Sequence, residues 1–249
     1  MATLGASAQL STRVNDSSVI KVGTRPEQGD FAFYLSSSFQ EIDQMVDDDI
    51  EVTGIPLIHL RYYLSDDVAL GLGIQTYKSK KFLSGRLPQD ETGTINDISI
   101  ESRYLVSPRI EYHFSDHNIL DTYVGLEIPV GYEKDIVEFG EKYNLSGDYT
   151  NERSERTSFV YGYSIFAGFQ AFIADLPMAI GLELGVRGFN HGDMTYKNTK
   201  EYSINGVEHS QTYYTTDNNG YSAEYDELNY SKFELGSDLR ITLNYFFSR

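Results

Sequence analysis

Eight stretches of this chain alternate apolar and polar side chains with a period of two, and that pattern constrains the fold more than any other feature. Successive side chains of a pleated strand point to opposite faces, so each stretch spells a strand with one apolar face. In RYYLSDDVALGLG (residues 61–73) two such runs meet at Ser65-Asp66-Asp67. Before the turn, Pro56, Ile58, Leu60, Tyr62 and Leu64 share a face opposite Leu57, His59, Arg61 and Tyr63. After it, Val68, Leu70, Leu72 and Ile74 stand opposite Ala69, Gly71, Gly73 and Gln75.

The other six runs divide in the same way. Phe31, Phe33, Leu35 and Phe39 oppose Ala32, Tyr34, Ser36 and Ser38. The longest run sets Ile98, Ile100, Tyr104, Val106, Pro108, Ile110, Tyr112 and Phe114 against Glu101, Arg103, Arg109, Glu111 and His113. Leu120, Val124, Leu126, Ile128, Val130 and Tyr132 oppose Asp121, Tyr123, Gly125, Glu127 and Gly131. Phe159, Tyr161, Tyr163, Ile165, Phe169 and Ile173 oppose Ser164, Gly168 and Gln170. Met178, Ile180, Leu182, Leu184 and Val186 oppose Gly181, Glu183, Gly185 and Arg187. In the last, Phe233, Leu235, Leu239, Ile241, Leu243, Tyr245 and Phe247 oppose Lys232, Glu234, Asp238, Arg240 and Asn244.

The second face is charged and nearly neutral. Arg61, Arg103, Arg109, Arg187, Lys232 and Arg240 stand against Glu101, Glu111, Asp121, Glu127, Glu183, Glu234 and Asp238, six bases to seven acids. Interleaved with glycine, this composition suits a narrow lumen in which opposite charges pair and glycines leave them room. A solvated face of ordinary mixed charge is the alternative.

Connections alternate in length. Short ones fall at 65–67, 115–118 and 174–177, and long ones at about 41–51, 80–97, 135–157 and 192–229. The four long loops hold 22 acids against 8 bases, a net of −14 out of the chain's −17. Up-and-down strands with short turns at one end and long polar loops at the other match the pattern of an outer-membrane barrel. The apolar face also carries aromatics toward both ends: Phe31, Tyr62, Tyr112, Phe114, Tyr245 and Phe247 at the short-turn end, and Phe39, Tyr132, Phe159, Tyr161 and Phe233 at the loop end. Two membrane interfaces select such girdles. Three segments, at 56–74, 107–128 and 166–186, read as degenerate copies of one hairpin.

Composition removes several function classes. With 249 residues and no compositional break, one domain is expected. The absence of cysteine excludes disulfides, thiolate metal sites and a catalytic thiol. A net charge of −17 argues against nucleic acid, whose phosphates need a cationic footprint. No apolar run approaches about 18 residues, so no transmembrane helix is expected, and a mean hydropathy of −0.38 is compatible with strands that alternate lipid-facing and lumen-facing residues.

The segments SPRIEYHFSD, RYYLSDDVALGLG and the closing LRITLNYFF resemble the small outer-membrane β-barrel proteins of Gram-negative bacteria, OmpA/OmpX-like, over residues 29–247. The resemblance implies an all-β, transmembrane antiparallel up-and-down β-barrel of eight strands in the cell outer membrane. It further implies short periplasmic turns, long extracellular loops and a final aromatic strand read by the assembly machinery, here followed by Ser248-Arg249. Residues 29–249 form the barrel in this reading. Residues 1–28 are an N-terminal periplasmic segment in which Ala6-Ser7-Ala8 resembles the end of an export signal.

The expected function is that of a structural or interaction protein, or an accessory subunit of a larger outer-membrane complex, working through its acidic Tyr-rich loops. Its partners would be outer-membrane lipid, lipopolysaccharide and other outer-membrane proteins. A narrow porin-like channel is the alternative; a lipid-modifying enzyme and a soluble β-barrel ligand binder rank below it. No catalytic, cofactor-binding or metal-ligating set is assigned. His59, His113, His117, His191 and His209 lack metal-ligand spacing. The acidic loop with Glu41, Asp43, Asp47, Asp48, Asp49 and Glu51 reads first as a solvated acidic loop, with a weakly held divalent cation on its hard oxygens as the alternative. The paired aspartate and asparagines at 217–219 read as a turn, as does Asn205-Gly206, which allows strands inside the 192–229 loop.

Overall fold

The computed structural model describes residues 25–38, 54–87, 90–114, 119–142, 147–174, 176–218 and 222–247. The described residues are all-β, with eleven strands among them: β1 (Phe31–Ser38), β2 (Gly54–Tyr63), β3 (Val68–Leu87), β4 (Asp90–His113), β5 (Leu120–Glu127), β6 (Val130–Lys142), β7 (Tyr149–Phe172), β8 (Met178–Gly192), β9 (Tyr196–Ile204), β10 (Val207–Thr215) and β11 (Lys232–Phe247). Every pairing is antiparallel, as expected where short turns join consecutive strands.

The pairings run from β1 through β2, β3 and β4, on through β5 or β6 to β7, then β8, β11 and back to β1. β5 and β6 occupy one position in succession. β5 pairs with Arg109–His113 of β4 and β6 with Thr94–Val106. Ile128-Pro129 separates them because proline has no N–H to give a ladder. The ladder is stitched across this break by Ile128 N donating to Pro108 O (2.9 Å) and Gly162 N to Pro129 O (2.8 Å). Among the described residues, nine strands (β1–β8 and β11) therefore fill eight positions in the cycle, and β9 and β10 lie outside it.

Two of the expected long loops are strand. β3 and β4 stay paired from Val68↔Tyr112 to Leu87↔Asp90, through the region 80–97, and β6 and β7 stay paired out to Lys142↔Tyr149, through 135–157. Alternation fades there because neither face is consistently buried, yet backbone groups still pair; periodicity reads the surroundings of a strand, not its hydrogen bonds. The 192–229 segment contributes the hairpin β9–β10, turned by Asn205 (φ 53°) and Gly206 (φ 77°), the two positive φ values a two-residue hairpin turn requires. β9 pairs with Thr150–Glu155 of β7, so the strands above the ring form a sheet in the order β3, β4, β6, β7, β9, β10. The expected 41–51 loop, Phe39, the 115–118 turn with His117, and residues 1–24 lie outside the described residues.

Burial is inverted relative to a water-soluble sheet. Leu60, Leu72, Ile165 and Leu184 are 51–61% exposed, whereas Arg61, Glu111, Glu127 and Glu183 are 1–2% exposed. Segregation of the faces follows the expected parity. The enclosed apolar core is small, formed at the short-turn end by Ala32, Tyr63, Ala69, Phe172, Ala179 and Phe246. The segment before β1 crosses that end: Gln28 N donates to Asp66 Oδ1 (2.9 Å) and Gly29 N to Tyr63 O (2.9 Å).

Candidate functional site

The enclosed face holds a hydrogen-bonded circuit of six side chains drawn from five strands. Arg61 of β2 donates to Glu111 Oε1 (2.8 Å) and to Asn244 Oδ1 of β11 (3.2 Å). Asn244 donates to Gln170 Oε1 of β7 (3.0 Å), and Gln170 to Asp121 Oδ2 of β5 (2.8 Å). His113 closes the circuit, its Nδ1 2.7 Å from Asp121 Oδ2 and its Nε2 3.3 Å from Glu111 Oε2. All six are buried, and each fixes the rotamer of the next.

Arg109 is the hub of a second cluster. It pairs with Glu111 through Nε, with Glu183 through both Nη atoms, and reaches Glu127 Oε2 at 3.5 Å. Its guanidinium lies 3.9 Å from the Phe166 ring centroid and 4.9 Å from that of Tyr34. Tyr123 OH donates to Glu183 Oε1 (2.8 Å), and Arg240 bridges Glu127 (2.9 Å) and Asp238 (2.6 Å). Arg187 approaches Asp238 at 3.8 Å, and Arg25, from the segment before β1, reaches Asp121 Oδ1 at 3.1 Å. Five arginines (25, 61, 109, 187, 240) are thus linked to five carboxylates (111, 121, 127, 183, 238), a balance that buried charge requires.

The twelve residues expected in this network do not all enter it. Arg61, Arg109, Glu111, Asp121, Glu127, Glu183, Asp238 and Arg240 are buried and connected. Arg187 is half-buried, while Glu101, Arg103 and Glu234 are exposed. These three have the right face but the wrong depth: they lie toward the long-connection end, where Arg103 pairs with Glu133 (2.7 Å) and Glu234 pairs with Lys232 and faces His191 (3.4 Å). A period of two assigns a face and carries no information about depth. Gly71 faces Arg61 and Arg109 across the ladders; Arg103, also expected beside the glycines, pairs with Tyr77 instead. Arg25 lay outside every alternating run and had no signal in the sequence.

The expected interface aromatics sit on the outer face: Tyr112, Phe114, Tyr132, Tyr161, Tyr245 and Phe247 are exposed and Tyr62 is half-exposed. At the short-turn end Phe31 packs against Tyr62 (4.9 Å), Tyr112 against Phe114 (5.1 Å) and Tyr245 against Phe247 (4.8 Å). At the other end Tyr132, Phe159 and Tyr161 form a second group, 6.2 and 5.9 Å apart.

The upper sheet carries exposed and half-buried ion pairs. Arg153 bonds Glu138 and Glu155, Lys134 bonds Glu155 (2.7 Å), and Arg156 bonds Asp135. The Lys134 ammonium, followed by the Arg153 guanidinium, holds the Glu155 carboxyl below the usual carboxylate range. Partial burial and a bond to Glu152 (2.9 Å) push the Tyr213 hydroxyl up to about 12. A groove of about 750 Å³ on this sheet is lined by Asn96, Ile98, Glu138, Asn151, Arg153 and Glu201, among others.

His113 is in the circuit, His209 stacks on Tyr202 (5.0 Å), and His59 lies edge-on to Tyr34 (5.0 Å) without a hydrogen bond, 3.9 Å from Glu127. Among the described residues no group of three or more His, Asp or Glu side chains is arranged to hold a metal ion; the acidic loop of residues 41–51 lies outside them. Neither models of protein families nor curated proteins give a match to this chain.

Proposed function

We propose that the chain is an integral outer-membrane protein: an OmpA/OmpX-like, eight-position transmembrane β-barrel with a charge-plugged lumen, acting as a structural or interaction protein through its acidic upper sheet. The observation that carries this reading is the inverted burial. A soluble monomer's largest apolar patch is about 300–600 Å², whereas here Phe33, Leu60, Leu72, Ile110, Leu126, Ile165, Leu184 and Leu243 are exposed on strand after strand of the pairing cycle. Lipid is the solvent in which such a face is stable.

The dimensions agree. From Tyr104 to Phe114 the strand rises about 33 Å at about 3.3 Å per residue, or about 25 Å along the normal at a tilt of about 40°, the usual height of an outer-membrane apolar band. An eight-position barrel has room only for side chains, and here the two charged clusters would occupy that room, so little conduction is expected. Outer-membrane lipid and lipopolysaccharide would surround the band, and another outer-membrane protein would meet the upper sheet.

The test is extraction and electrophoresis. The protein should need detergent, and unboiled samples should migrate faster than boiled ones. A protein that stays monomeric in plain buffer and shows no heat-dependent shift would sink the membrane reading. Stable single-channel steps in planar bilayers would favour the narrow porin-like channel.

A further inference from the structure

We propose that the outer edge of β10 is a docking site for an extended Lys/Arg-rich segment of another protein, which joins the upper sheet as an antiparallel strand. The inference rests on the reading of that sheet as a contact surface and gives its partner a chemistry.

The turn at Asn205-Gly206 makes Ile204 and Val207 the first bonded pair of the hairpin. Tyr202/His209, Lys200/Gln211 and Asn198/Tyr213 therefore exchange bonds within it, and Glu208, Ser210, Thr212 and Tyr214 turn their N–H and C=O groups outward. Tyr214 shows the parity directly. Its N donates to Tyr225 O (2.8 Å) and its O accepts from Tyr225 N (3.0 Å), an isolated antiparallel bridge. That bridge is a one-residue precedent for a strand on this edge. Among the described residues nothing pairs beyond it, so Glu208, Ser210 and Thr212 offer three N–H and three C=O groups.

Sheet edges left open to water are ordinarily blunted by charged side chains, lysine above all, by proline or by a bulge, and the one carboxylate of β10 is Glu208. VEHSQTYYT of β10 has neither lysine nor proline, and its ladder to β9 is regular. Residues 207–212 are all exposed.

Charge selects the occupant. From residue 201 to 231 the chain carries Glu201, Glu208, Asp217, Glu224, Asp226 and Glu227 and no lysine or arginine. Glu208 belongs to one face of the edge, and Glu224, which accepts from Gln211 (3.4 Å), to the other. Alternate residues of an incoming strand share one face, so its cations meet Glu208 or Glu224 according to the face they point to, and either face offers a carboxylate. A second copy of this chain fits worse. It would bring the same acids together, and antiparallel pairing of two β10 edges would invert one protomer's apolar band relative to the other's membrane.

The test uses the full chain refolded in detergent micelles and three labelled nonapeptides, capped at both ends: alternating Lys/Thr, alternating Glu/Thr, and alternating Lys/Pro. The Lys/Thr peptide should bind and the others should not, the Lys/Pro peptide having the charge without the ability to pair. Ser210→Pro removes only an outward N–H, so the β9–β10 hairpin should persist while affinity falls at least about tenfold. Glu208→Gln/Glu224→Gln should weaken binding severalfold and flatten its salt dependence. Absence of binding overturns the proposal. So does equal binding of the Lys/Pro peptide or indifference to Ser210→Pro, either of which would mean charge attraction alone; equal binding of the Glu/Thr peptide would mean the wrong partner chemistry. Heat-dependent gel mobility of the same preparation reports the membrane reading separately, so a protein soluble without detergent that still binds the peptide would lose the barrel and keep the edge.

Discussion

Arg109 offers the sharpest test of the enclosed network. It serves Glu111, Glu127 and Glu183 at once, and its side chain is about 1% exposed. In Arg109→Met the stem volume is roughly kept and the charge is lost. Glu111 retains Arg61 (2.8 Å) and Glu127 retains Arg240 (2.9 Å), but Glu183 is left with the neutral Tyr123 hydroxyl (2.8 Å). Breaking a buried pair by removing one partner costs about 3–5 kcal/mol, and Glu183 is the group that bears it. Arg109→Met/Glu183→Gln removes the stranded charge, so the double variant should return to within about 1–2 kcal/mol of the parent, with a coupling of at least about 2 kcal/mol in the cycle. The assay is a guanidinium titration of protein folded in micelles or vesicles, followed by circular dichroism and by unboiled gel mobility. A loss below about 1 kcal/mol for Arg109→Met, or additivity of the two changes, would mean that water solvates these groups, and the plugged interior would have to be abandoned.

Three further outcomes are expected. In Gly71→Leu the new Cβ stands 3.3 Å from Arg109 Cβ and 3.6 Å from its next two carbons, so the branched side chain displaces the hub; overpacking of about 1–3 kcal/mol should lower refolding yield, and an unchanged yield and thermal stability would contradict the inward assignment. Leu72→Arg, on the outer face opposite Leu60 and Pro108, should cost about 2–4 kcal/mol in lipid vesicles if it lies near mid-band, whereas the same change on a water-facing surface stays within about 0.5 kcal/mol, so a small effect in vesicles argues against lipid contact. Because the Glu155 carboxyl is held below its ordinary value of 4.5, its pairing with Lys134 and Arg153 supports the β6–β7 extension above that pH and is lost as pH falls through the lowered value; amide exchange there, corrected for intrinsic rates, should quicken in acid, and pH-independent protection would show that the pairs contribute nothing.

Much of the architecture was legible because period two is a strong signal. RYYLSDDVALGLG already separated Leu60, Leu70 and Leu72 from Arg61, Gly71 and Gly73, and the structure keeps that division with the turn at Ser65–Asp67. Asn205-Gly206 also announced its hairpin. The extensions of β3, β4, β6 and β7 were not legible, since strands with neither face consistently buried lose alternation while keeping their ladders.

By itself, the sequence determined which side of each strand is apolar and which is charged, because a pleated chain has only two faces and burial sorts residues between them. The tertiary structure alone decided which charges meet. Along the ladders Arg109 leads to Glu127, Ser164, Arg187 and Gly236, yet its partner from β8 is Glu183, four residues from Arg187. Ladder neighbours follow from register, but contacts across an enclosed space depend on how tilted strands stagger around the cycle, which no local pattern encodes. The same geometry left Glu101, Arg103 and Glu234 exposed and brought Arg25 in from outside the sheet to Asp121.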